Sequence, residues 1–221
     1  MTRALFEKQL SEIQEDMFVL AGMVASAVER SVHALRERDL ELARRVITDD
    51  VKINDKRYEI EERCLEVIAT QGPLARDLRT IVAVLHITVD LERMGDHAEG
   101  IAKVALMLAD DVPIEEYVDI PNMAQITTKM LLSSIDAFRD RDAAQARAIC
   151  DMDDEVDTLY DRVYRKLIGI MGEHPERVEQ AIHLSWVAHN LERIADRVTN
   201  ICERVVYLVE GRILELNVSK Y

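Results

Sequence analysis

The octapeptide Leu91-Glu92-Arg93-Met94-Gly95-Asp96-His97-Ala98 returns as Leu191-Glu192-Arg193-Ile194-Ala195-Asp196-Arg197-Val198, 100 residues later and without a gap. Other echoes surround it. Ala34-Leu35-Arg36-Glu37-Arg38-Asp39 is matched by Ala137-Phe138-Arg139-Asp140-Arg141-Asp142 at an offset of 103, and Pro73 by Pro175 at 102. A drift from 103 to 100 fits deletions of one or two residues at turns. The chain is therefore one fold unit written twice, and any fold for it must accept two similar halves.

The unit itself is helical. Val84, Ile87, Leu91, Met94, Ala98, Ile101, Ala105 and Leu108 step by three and four, and Leu184 to Leu208 repeat the stripe. That is the spacing of a helix buried on one face. Similar stripes run from Leu10 to Leu35, Leu42 to Val67 and Ile149 to Ile170. With 7 Gly, 4 Pro and 5% aromatic residues, the composition argues against a β-rich architecture, which spends glycine and proline on turns. The breakers Arg38-Asp39 and Gln71-Gly72-Pro73 divide the first half, with Asp39 placed as an N-cap. Six helices are predicted, over about 6–37, 39–70, 74–109, 122–140, 142–172 and 176–211. Three amphipathic helices with short connections form an antiparallel bundle. The expected fold is all-α, two tandem antiparallel three-helix bundles related by internal duplication. The expected organisation is repeat 1 over 1–110, a linker over 111–121 holding two of the four prolines, repeat 2 over 122–211, and a tail over 212–221.

The repeat also duplicates a carboxylate pair. Like charges four residues apart on a helix repel by a few tenths of a kcal/mol, so a repeated pair suggests a cation between them. With Leu91 at zero and about 100° per residue, the apolar stripe centres near −40°, Glu92 near 100°, Asp96 near 140° and Glu99 near 80°. Glu92 and Asp96, and likewise Glu192 and Asp196, are expected on a face turned away from the core. Asp153, Asp157 and Asp161 step by four beside the stripe of the neighbouring helix, and Asp151 to Asp161 holds six acids and no Lys or Arg. If the rows face one another, the groove between them offers oxygen donors for Mg, Mn, Fe or Zn. Each acidic face alone is ordinarily a solvated face; duplication is what singles these out. An EF-hand reading of Asp151 to Arg162 fails, because Val156 replaces the turn glycine and Arg162 the last ligand. A ferritin-like di-iron centre needs Glu-x-x-His, and no histidine here has a Glu three residues before it.

Other classes are disfavoured. A net charge of −14 does not suit nucleic acid or an anionic membrane surface. Cys64, Cys150 and Cys202 share no motif and read as inert, reduced thiols. The apolar run Met17 to Val28 follows acidic residues, the wrong charge for a signal peptide, and is short of the ~20 residues of a membrane span. A cytoplasmic protein with no direct membrane insertion is expected. His183 is read as a core residue, and Trp186 and most of the nine methionines as packing. No phosphate loop or catalytic triad is present in the pattern, so no enzyme is expected. Leu78, Ile81 and Leu85 are expected to be covered by the other repeat or by another chain, against the smaller Val178, Ala181, Ser185 and Ala188.

The duplicated Leu-Glu-Arg-Met/Ile-x-Asp, the preceding Asp77-Leu78-Arg79 and the two three-helix units resemble the PhoU family of phosphate-uptake regulators across nearly the whole chain. The resemblance implies a non-enzymatic cytoplasmic regulator, often dimeric. It implies negative control of the phosphate-starvation response through contacts with the phosphate ABC transporter, at its ATPase subunit, and with the phosphate-sensing histidine kinase. It also implies multinuclear metal sites on surface carboxylates, carried over onto Glu92 and Asp96, Glu192 and Asp196, and Asp153, Asp157 and Asp161. In the first repeat the match is incomplete. Asp50 is kept, but Asn54 and Tyr58 stand where the second repeat has Asp157 and Asp161, with Glu61 on the same face to compensate. The second-repeat site is therefore expected to bind metal more tightly. The alternatives are a carboxylate-bridged metal-storage protein or metal-dependent enzyme, and a helical scaffold without metal.

Overall fold

The computed structural model describes residues 3–109, 111, 119–212 and 216. The linker and tail expected at 111–121 and 212–221 fall largely outside the described residues. Those described residues form helices α1 (Arg3–Glu37), α2 (Leu40–Gln71), α3 (Arg76–Met107), α4 (Asp119–Asp140), α5 (Ala143–Asp151), α6 (Asp153–Glu173) and α7 (Val178–Glu210). Among them there is no strand. The six-helix reading holds, with the fifth region divided at Met152, whose N–H bonds back to Ile149 O at 3.0 Å and tightens the turn. A single 3₁₀ turn, Pro175–Arg177, leads into α7. α4 starts three residues earlier than expected: Pro121 sits in its first turn, where its missing N–H has no helical partner to lose.

Helices α1, α2 and α3 pack as one bundle and α4 to α7 as the other, and the bundles meet along α3 against α7 and α1 against α4. The apolar stripes merge into one continuous core. An 18-residue stretch of α1 is apolar enough to cross a membrane by length and composition, and over half of it is buried within this core. Ile81, Ala181 and Ala188 are fully buried and Leu85 is partly buried, while Leu78 stays partly exposed.

The duplication extends to turns and ion pairs. Asp39 N–H bonds to Ala34 O and Asp142 N–H to Ala137 O, a helix-ending loop made twice. Arg38 and Arg141 take the left-handed position there, at φ 57° and 55°. The next residue then caps the following helix: Asp39 accepts from Leu42 N, and Asp142 from Ala144 N and Gln145 N. Asp16 ties α1 to α2 through Lys56 and Arg63, and its counterpart Asp119 ties α4 to α6 through Lys166, the counterpart of Arg63, and through Arg162. Asp119 is buried, so both cations converge on a desolvated carboxylate.

The interface between repeats has a twofold pattern of its own. Asp90 accepts from Arg197 at 3.2 Å and Asn200 at 3.3 Å. Its equivalent, Asn190, accepts from His97 at 2.8 Å and lies over Gly100. Residues 97 and 197, and 100 and 200, are each other's counterparts, so α3 and α7 cross antiparallel with the same positions used from both sides.

Candidate functional site

The motif carboxylates lie where α3 faces α2 and where α7 faces α6. They are less outward than helical phase predicts: the side chains of Glu92 and Glu192 are each only 16% exposed, while Asp96 and Asp196 sit at the rim. The rotation is right, but the adjoining helix rises beside that face and covers the glutamates.

In the second repeat, Glu192 is the centre. Burial pushes its carboxyl up to about 7, and the negative charges of Asp196, Asp157 and Asp153 add to the effect against Arg193. Its Oε2 is buried and accepts no hydrogen bond among the described residues. Arg193 Nε at 3.2 Å and His189 Nδ1 at 3.5 Å are near this oxygen but not aligned to donate to it. Asp153, at the start of α6, is 3% exposed. Asp161 is exposed and pairs with Arg165 at 3.2 Å.

In the first repeat, Asp50 is the centre. Burial raises its pKa, followed by the charges of Glu99, Asp96 and Glu92. Asn54 Nδ2 donates to Asp50 Oδ2 at 2.9 Å. Gly95 lets α2 come this close: a Cβ there would stand 3.1 Å from Ile53 Cγ2 and 3.3 Å from Asp50 Oδ1. Glu99 acts on Asp50 from α3 while pairing with Lys103 at 2.6 Å, and Glu61, on α2, pairs with Arg57 at 3.1 Å.

Two features escape the sequence pattern. Arg93 folds back onto Glu92 and Asp96, and Arg193 onto Glu192 and Asp196 at 3.2 and 3.0 Å. The acidic pairs therefore carry a base within the motif itself. Tyr160 and His189 border the second cluster, their rings 6.2 Å apart, and burial raises the Tyr160 hydroxyl pKa. Only the helical spacing of His189 to Glu192, one turn apart, signalled this in advance.

Among the described residues, no three Asp, Glu, His or Cys side chains stand close enough to share one metal ion. Clustered like charges push one another apart, and the donor chemistry nevertheless suits a cation: oxygen ligands, a buried acceptor without a donor, and a glutamate whose ionisation is opposed by its neighbours. Elsewhere, Trp186 is 52% exposed rather than in the core, edge-on to His183, whose buried Nδ1 lacks a partner. Both lie off the apolar centre line of α7. The three cysteines are free. Burial pushes the Cys64 thiol up to about 12, and contact with Cys150 together with burial raises Cys202, so neither is a ready nucleophile.

The PhoU domain family matches this chain twice, over residues 19–105 and 120–205. A phosphate-specific transport system accessory protein PhoU homolog of Clostridium acetobutylicum is 37% identical over 98% of this chain and 100% of its own length. One from Aquifex aeolicus is 39% identical over 94% of each. The crystal structure of the phosphate transport system regulatory protein PhoU from Streptococcus pneumoniae superposes with a TM-score of 0.89, at 32% identity over 95% of this chain and 99% of that one. These relatives are named as accessory or regulatory proteins, not as enzymes. With both copies of the domain present and the relatives matched end to end, the chain belongs to the PhoU family.

Proposed function

We propose that this chain regulates phosphate transport as an accessory protein. In this reading it restrains uptake and the phosphate-starvation response through contacts with the ATPase subunit of a phosphate ABC transporter and with a phosphate-sensing histidine kinase. It acts in the cytoplasm, as a homodimer, and its carboxylate clusters hold divalent or trivalent ions. The role in phosphate transport rests on the family and on relatives matched over nearly their full length.

The metal reading rests on one observation: the buried oxygen of Glu192, which accepts no hydrogen bond and stands among Asp153, Asp157 and Asp196. Bound there, a cation supplies the positive charge that allows these carboxylates to ionise side by side. Asp153 and Asp157 present donors from α6, Glu192 and Asp196 from α7, and Arg193 holds the rim carboxylate in place. In the first repeat Asp50, Glu92, Asp96 and Glu99 form the donor set, but Asn54 already occupies an Asp50 oxygen. The second site is therefore the tighter one. Asp157→Ala with Asp196→Ala should abolish the tighter phase in calorimetric titration with Mn2+ or Zn2+ and leave the weaker phase. Unchanged stoichiometry and affinity would overturn the assignment.

A further inference from the structure

The two clusters also differ in what stands one helical turn before the motif glutamate. In the first repeat the residue is Val89, 41% exposed and with no donor atom. In the second it is His189, whose Nδ1 lies 3.5 Å from the buried Glu192 Oε2. Residues three apart on a helix share a face, so the imidazole and the glutamate point into the same groove. Tyr160 of α6 flanks the imidazole at 6.2 Å, tilted 50°. The other anionic groups acting on Glu192 are the carboxylates of Asp153, Asp157 and Asp196, and those acting on Asp50 are the carboxylates of Glu92, Asp96 and Glu99. Imidazole nitrogen favours borderline ions such as Zn2+ and Fe2+, whereas oxygen-only sets suit Mg2+ and Mn2+.

We propose that His189 is a nitrogen ligand that makes the second-repeat site selective for borderline transition ions, while the first-repeat site, with Val89 in that place, is an all-oxygen site without that selectivity. This rests on the metal reading of the clusters. The duplication makes it an internal comparison, because each copy is the control for the other. His189→Val installs the residue the first copy already carries in a half-exposed position, so the fold should persist, which a melting curve verifies.

The test uses the full chain, stripped with chelator and titrated with Zn2+ and separately with Mg2+. The expected result is that His189→Val weakens Zn2+ binding at the Asp157-dependent site by about ten-fold or more and leaves Mg2+ binding there unchanged. Val89→His should strengthen Zn2+ binding at the other site. In NMR spectra, the ring-proton signal that disappears in His189→Val should shift on adding Zn2+ and stay in place on adding Mg2+. If Zn2+ binds at the Asp157-dependent site with the same affinity in His189→Val and without moving that signal, this selectivity is overturned while the metal site stands. If neither ion binds the wild-type chain, both readings fall together.

Discussion

At the scale of single residues, Glu192 carries a measurable consequence. Its folded-state pKa lies above its ordinary value of 4.5, at about 7. The folded chain therefore holds a proton there that the unfolded chain has released. Metal-free protein should lose stability as pH rises from 4.5 through about 7, and no further above it. Glu192→Gln removes the titration. Relative to wild type, the variant should be no more stable near pH 4 and more stable by on the order of 2 kcal/mol at pH 8. Urea unfolding of chelator-treated protein at both pH values measures this; a difference that does not change with pH would contradict it. The Glu and Asp of the motif were legible in the sequence, because helical phase needs only the spacing. Their depth was not, since it depends on how far α2 and α6 rise beside them. Nor was the return of Arg93 and Arg193 onto their own carboxylates, a choice of side-chain rotamer made by the surrounding charges.

Among the elements, the stripes predicted the helices well because a period of three to four residues survives any tertiary arrangement. Asp39 was legible as a cap for the same local reason. The division at Met152 had no signal: no glycine or proline marks it, and only a backbone bond to Ile149 shows it. The turn between α4 and α5 invites a direct experiment. Arg141 holds a left-handed backbone without being glycine, and its Nη1 is buried without an acceptor. Burial and the neighbouring Arg76 both lower its pKa. Arg141→Gly should stabilise the chain by about 1 kcal/mol, by relieving the backbone and the unpaired guanidinium together. A lower urea midpoint in the variant would show that Arg141 holds α3 more than it strains the turn.

For the whole molecule, the junction of α3 and α7 is the part the sequence showed least. The repeat announced two bundles, and the size difference between Leu78, Ile81, Leu85 and their counterparts hinted at the contact, but His97 with Asn190 needs both helices in place. Burial lowers the His97 pKa below its ordinary 6.5, Arg197 lowers it further, and the bond to Asn190 with the charge of Asp96 only partly offsets this. A histidine held neutral in the fold gives stability that is present above about pH 6.5 and lost as pH falls through its folded value. His97→Gln keeps a donor and does not titrate. The wild-type melting temperature should therefore fall relative to His97→Gln between pH 7.5 and 5; parallel curves would mean that the junction tolerates the charge. The same junction bears on how such a chain changes over time. In a dimer of identical subunits, every substitution at a symmetric contact appears on both sides of the axis at once. Here the axis runs through one polypeptide, so one side has become ionic, Asp90 with Arg197, and the other neutral, Asn190 with His97. Fusion thus freed each half to acquire chemistry the other lacks, and that freedom extends to the adjoining positions, Val89 and His189.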